Sequence, residues 1–157
     1  MSNIEKSIDV NVPADTAYNQ WTQFEEFPHF MEGVEQVRQI SDKHLQWRVN
    51  VGGKVKEFET EITEQIPGKR IAWRTRGGTE NSGVVTFHRL NENSSRVMVQ
   101  MAYDPEGFVE KAGDLLGMTS RRVQGDLERF KQYLEERGTE SGAWRGTIQN
   151  PTEARAK

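Results

Sequence analysis

The chain has 157 residues, 34% hydrophobic and 29% charged, with 21 Lys and Arg against 24 Asp and Glu and a net charge of −3. That length suits one domain, its 4 Trp and 7 Phe can fill a core, and the balanced charge sets up no strong field for nucleic acid or an anionic membrane. The absence of cysteine excludes disulfides, thiol catalysis, iron–sulfur clusters and cysteine zinc sites. The opening residues lack the apolar core of a signal peptide, and no stretch approaches the roughly 20 apolar residues of a membrane span, so a cytoplasmic protein without an integral membrane segment is expected.

Ile4, Ile8, Val10 and Val12 alternate with Glu5, Asp9 and Asn11, which predicts a first strand with one buried face. Pro13 suits the first turn of a helix, and Ala14, Ala17, Tyr18 and Trp21 follow at helical spacing. Phe24, Phe27, Phe30 and Met31 crowd around Pro28 and predict a second, short helical segment. Val34 to Ile40 reads as a weak strand. Leu45, Trp47, Val49 and Val51 then alternate with polar residues up to Gly52-Gly53, the signal of a two-residue hairpin. The return strand carries Phe58, Thr60 and Ile62 on one face and Glu57, Glu59 and Glu61 on the other, ending at the turn Pro67-Gly68.

Further strands are expected at Ile71 to Thr75, Val84 to Leu90 and Arg96 to Tyr103, making about seven, mostly sequential and antiparallel. Asp104-Pro105-Glu106 has the residues of a helix start. Phe108, Ala112, Leu115, Leu116, Thr119, Val123, Leu127, Phe130 and Leu134 form one apolar stripe, closed by Gly138. The expected organisation is one domain over residues 1–137 and a partly tethered tail over 138–157. In the tail, Trp144 beside Arg145 is expected to dock on the body, cover a pocket mouth or make a homodimer contact.

This order is α+β: a curved antiparallel sheet of about seven strands wrapped around a long C-terminal helix, with two short helices after the first strand. A twisted sheet curled around one helix encloses space that side chains need not fill. The element order and the strings Val12-Pro13-Ala14, WTQFEEFPHFMEGV at 21–34, Ile71 to Arg74, Asn81 to Phe87, Tyr103-Asp104-Pro105 and Asp126 to Lys131 resemble the polyketide cyclase/dehydrase branch of the SRPBCC superfamily. That superfamily has the START-like, helix-grip fold. The resemblance implies a cavity for a small hydrophobic ligand, such as a lipid, quinone or polyketide-like aromatic. Strand alternation gives the inward set as Trp47, Val49, Phe58, Ile62, Trp73, Phe87, Val99, Met101 and Tyr103, with Phe30, Leu115, Leu116 and Thr119 near the mouth or lid. Trp47, Trp73 and Tyr103 stand out because an enclosed indole N–H or phenol O–H needs a partner and can orient a ligand's polar end.

Of three histidines, His44 and His88 read as solvated and none has metal-site spacing, so no metal is expected. His29, between Pro28 and Phe30, is the one candidate general base. No nucleophile elbow, phosphate loop or dinucleotide motif occurs, and no cofactor is expected. Glu57, Glu59, Glu61 and Glu64 have the look of catalytic carboxylates, but all except Glu64 share the outward phase of their strand and read as a solvated face that pairs with Arg70, Arg74 and Arg76. Among inward polar groups, Thr60, Thr75, Thr119 and Tyr103 give no acid–base pair and no catalytic assignment. Carriage of a hydrophobic ligand is the leading expectation. The alternatives are a cofactor-independent cyclase or dehydratase and a protein-interaction module with a vestigial cavity.

Overall fold

The computed structural model describes residues 2–51, 53–76, 81–103 and 112–148, with side chains described for 4–50, 53–75, 82–102 and 121–148. Strand β1 (Ser2–Val10) leads to helix α1 (Ala14–Trp21) and a 3-10 helix (Phe24–His29). Six strands follow, β2 (Val34–Gln39), β3 (His44–Val51), β4 (Lys54–Ile66), β5 (Arg70–Arg76), β6 (Asn81–Asn91) and β7 (Ser94–Tyr103), and then helix α2 (Ala112–Arg137). The seven strands form one antiparallel sheet in the order β1-β7-β6-β5-β4-β3-β2. This is the helix-grip arrangement expected from the sequence. The helix start expected at Asp104 lies outside the described residues.

Turn chemistry sets the register. Gly53 sits at φ +87°, which costs a residue without Cβ nothing, and its N–H donates to Asn50 Oδ1 at 3.0 Å. The hairpin therefore pairs Val51 with Lys54 and, further along, Trp47 with Phe58. A register shift between Ile62 and Glu64 resets the phase of β4: Glu64 stands opposite Ala72 and Gln65 opposite Ile71. Simple alternation places Glu64 on the inner face, whereas the bulge lets it pair with Arg70 at 2.8 Å. Arg74 pairs with Glu61 at 2.8 Å and Arg48 with Glu35 at 3.0 Å on the outer face.

One end of the concave face is packed solid. Val10, Tyr18, Val85, Val97, Phe130 and Leu134 have no exposure at all, and Ile71 and Leu127 nearly none. The indole of Trp21 meets the rings of Phe130 at 5.0 Å and Phe27 at 5.4 Å, both edge-on, a geometry that adds about 0.5–1.5 kcal/mol per pair to the burial itself. Helix α2 reaches this core through Leu127, Phe130 and Leu134, at spacings of three and four. It is fixed to the end of β1 by Lys131 Nζ donating to the Asp9 carbonyl (3.0 Å) and by the Asn11 N–H donating to Glu135 (2.8 Å).

Beyond Gly138 the chain turns back along α1. The Ser141 N–H donates to Gln20 Oε1 at 2.8 Å while Gln20 Nε2 donates to Ser141 Oγ at 3.1 Å, satisfying an amide with no exposure of its own. Asn19 donates to Glu140 and accepts from Arg145, and the Trp144 N–H donates to Thr22 Oγ1. Ile148 and Gln65 exchange backbone hydrogen bonds at 2.7 and 2.9 Å, so the tail continues the sheet edge at the point where β3 no longer flanks β4.

Candidate functional site

The other end of the concave face is built from large apolar side chains that are only half-buried: Trp47 and Val49 on β3, Phe58 on β4, Trp73 on β5 and Met101 on β7. Cross-strand pairing places all of them on the inner face, because Trp47 is opposite Phe58, Trp73 opposite both Ile62 and Gly83, and Gly83 opposite Met101. Trp47 and Phe58 stack nearly parallel, with centroids 5.8 Å apart and an interplanar angle of 8°. Phe27, 5.7 Å from Trp47, joins this wall to the packed half. Met31, Val34 and Val123 border the core from the 3-10 helix loop, β2 and α2, and they too are half-buried.

Gly83 is essential to the shape. A Cβ there would lie 2.6 Å from Trp73 Cζ2 and 2.8 Å from the Gln100 carbonyl, so the indole lies directly against the β6 backbone. A glycine inside a strand here marks the close approach of an aromatic ring.

The polar groups of this wall are few. Trp47 Nε1–H donates to Thr60 Oγ1 at 2.9 Å, and Thr60 is opposite Thr75. The indole proton of Trp47 is thus taken by the protein, not left for a ligand. At the rim, the Glu32 N–H donates to Asp126 Oδ1 at 2.9 Å and Arg129 Nε donates to the Phe30 carbonyl at 2.8 Å, tying the loop after the 3-10 helix to α2. Burial pushes the Asp126 carboxyl above its ordinary value, against the opposing pull of the Glu32 N–H, Arg129 and Arg122.

A family model described as polyketide cyclase / dehydrase and lipid transport matches residues 10–131. The chain belongs to this family. An uncharacterised 17.2 kDa protein from the melC2-rnhH intergenic region of Streptomyces lincolnensis is 56% identical over 149 residues, covering 94% of this chain and 99% of that one. The crystal structure of DR_A0006 from Deinococcus radiodurans is similar at 29% identity and a TM-score of 0.67, over 87% of this chain and 99% of its own. The Zhui aromatase/cyclase from Streptomyces sp. R1128 superposes with a TM-score of 0.74 at 16% identity, over 91% of this chain and 99% of its own, a likeness of fold alone. No helix among the described residues is long and apolar enough to cross a membrane.

Within this family fold, the residues expected to line a cavity divide into three groups. Trp47, Val49, Phe58, Trp73 and Met101 share the half-buried end of the concave face. Ile62 and Val99 lie on the same face but are buried, at the boundary with the core. Phe30 and Phe87 are part of the solid core: Phe30 contacts Trp21, Phe27, Phe130 and Tyr133, and Phe87 contacts Tyr18 and Trp21. Phe30, expected near the mouth, is therefore 2% exposed beneath α2. Alternation gives the face of a residue but not how far along the sheet the packing continues. The side chains of Tyr103, Leu115, Leu116 and Thr119 lie outside the described residues.

His29 is exposed and stacks on Tyr133, with centroids 5.9 Å apart and rings nearly parallel. It belongs to a surface cluster in which Tyr133 donates to Glu26 at 2.6 Å and Ser141 also donates to Glu26, not to the concave wall. Met31, Val34 and Val123 join the site only in the structure; their traces in the sequence are the apolar cluster around Pro28 for Met31, the α2 stripe for Val123 and, for Val34, its place opposite Val49.

Proposed function

We propose that this protein binds a small, largely apolar molecule of the lipid, quinone or polyketide-like aromatic class on the concave face, between the sheet and α2. The observation that carries the reading is the unequal treatment of the interior. One half covers Val10, Tyr18, Val85, Val97, Phe130 and Leu134 completely, while Trp47, Phe58, Trp73 and Met101 in the other half face inward and keep part of their surface uncovered. Leaving such surface wet forgoes about 25 cal/mol per Å² of burial, which a bound apolar ligand would recover.

Binding is preferred to cyclase or dehydratase chemistry because the described inner wall offers no acid–base pair. Glu57, Glu59 and Glu61 are in outward register and His29 is stacked on Tyr133. Membership of a family described by both cyclases and lipid transport is compatible with either use of the cavity. Native mass spectrometry of protein purified from its own host, followed by solvent extraction, tests the proposal. A stoichiometric apolar adduct lost in Trp47→Ala or Phe58→Ala is the expected result. A protein that arrives empty and stays empty with lipids, quinones and aromatic polyketides refutes it.

A further inference from the structure

Thr60 and Thr75 are a cross-strand pair on the inner face, flanked by Trp47 on one side and Trp73 on the other. Thr60 is 3% exposed, and its Oγ1 already accepts the Trp47 indole proton. Indole is a donor only, so Thr60 must send its own proton elsewhere. Among the described residues no hydrogen bond takes that proton, and the half-buried Thr75 hydroxyl makes none either, not even to Thr60. A buried hydroxyl whose proton has no acceptor is costly, and in an apolar wall it is a polar group awaiting a partner.

We propose that Trp47, Thr60 and Thr75 form a donor subsite for one acceptor oxygen of the ligand, a carbonyl of a ketone, quinone or ester, and so fix the ligand's orientation against β4 and β5. The inference rests on the binding reading above and narrows it to apolar molecules that carry a carbonyl. The indole N–H, by donating to Thr60 Oγ1, polarises the hydroxyl and strengthens its donation to the ligand. Trp47 is then a positioning residue, acting through Thr60.

The test compares two near-isosteric probes, 2-acetylnaphthalene and 2-ethylnaphthalene, titrated against tryptophan emission. Each affinity ratio, acetyl over ethyl, is measured in the wild type, Thr75→Val, Thr60→Val and Thr60→Ser. Dividing the wild-type ratio by the variant ratio cancels the different hydration of the probes. The expected result is a ratio about tenfold lower in Thr60→Val, with a smaller fall in Thr75→Val and recovery in Thr60→Ser, because one well-placed neutral hydrogen bond contributes about that factor. Circular dichroism checks that each variant is folded, and Thr75→Val, at the more exposed position, carries the test if Thr60→Val is not. A ratio unchanged within twofold in the folded threonine variants, with both probes bound, overturns the donor subsite and leaves the apolar site standing. Failure of both probes to bind the wild type overturns the donor subsite, and the binding reading falls with it if the protein also stays empty with lipids, quinones and aromatic polyketides.

Discussion

Phe130→Ala and Phe58→Ala remove the same side chain from the two halves of the interior, and the structure predicts opposite consequences. Phe130 has no exposure and its ring meets Trp21 at 5.0 Å and Phe30 at 5.2 Å. Truncating it forfeits full burial, leaves a cavity beneath α2 and breaks two aromatic contacts, for a loss of about 3–5 kcal/mol. For a chain of this length that lowers Tm by roughly 10 °C or more. Phe58 is half-buried and its one close aromatic partner among the described residues is Trp47. Its truncation has less burial to lose and opens no sealed void, so about 1–2 kcal/mol and a few degrees are expected. Binding reverses the order: 2-ethylnaphthalene should bind Phe58→Ala about tenfold more weakly, while Phe130→Ala, measured well below its Tm, should bind within threefold of wild type. Calorimetric melting and tryptophan quenching on the same preparations decide it. Equal losses of stability, or equal losses of affinity, would show that the interior is not divided into a packed half and a binding half.

Gly83→Ala drives a methyl group into the Trp73 ring and the Gln100 carbonyl, at 2.6 and 2.8 Å. Because the backbone contact cannot swing aside, the variant should melt lower by several degrees and show a shifted Trp73 emission, judged against Trp73→Phe; an unchanged Tm would mean that β6 and β7 separate freely. Deleting residues 139–157 strips the partners from Gln20 and Asn19 and from the Gln65 backbone. At about 1 kcal/mol for each of those hydrogen bonds a loss on the order of 5 kcal/mol is expected, with probe affinity kept and the same number of chains per particle by light scattering before and after; a full-length dimer that becomes a monomer would assign the tail to an interface. Acid should loosen the same tail. Burial raises the Glu26 carboxyl, but hydrogen bonds from Ser141 and Tyr133 and the charges of Arg137 and His29 outweigh it and hold the pKa below its ordinary 4.5. Burial likewise opposes the Asn19 hydrogen bond that leads Glu140 downward. A carboxyl depressed in the folded state stabilises fully above its unfolded pKa and loses that contribution as pH falls through the lower folded value. Trp144 emission, compared with Trp144→Phe, should therefore be flat from neutral pH to about 5 and change only below 4.5; a transition near pH 6 would point to another group.

Much of this arrangement follows from short-range rules, and the parts that do not have identifiable causes. The two glycines of the sequence between Val51 and Lys54 signal a tight hairpin, and that signal alone implies Trp47 opposite Phe58, with Thr60 one step along the diagonal. The bulge at Ile62 was not implied. Its trace in the sequence is Glu64, a carboxylate in inward phase that a bulge moves back to the outer row beside Arg70. Gly83 has the same character, since its reason for being glycine lies on another strand, in the indole of Trp73. Alternation puts Phe87 on the inner face, and the spacing around Pro28 puts Phe30 near the mouth, yet both pack into the core, because periodicity carries no information about what the opposing helix covers.

That last difference explains how a small fold can hold both stability and an open site. The covered half draws on α1, the 3-10 helix, the last four turns of α2 and the returning tail, all of which meet around Trp21, Phe130 and Gln20. Near the β3–β4 hairpin only the edge of this packing is felt, through Phe27 against Trp47, and Trp47 and Phe58 stay half-buried. The carboxylates illustrate the same separation, since Glu57 and Glu61 are kept in outward register, where water and Arg74 accommodate their charge. A wall of stacked rings interrupted by two threonine hydroxyls can then discriminate by shape and by a single oxygen. In the proposed binding role, this combination would hold an apolar molecule in one orientation without the desolvated charge that acid–base catalysis requires.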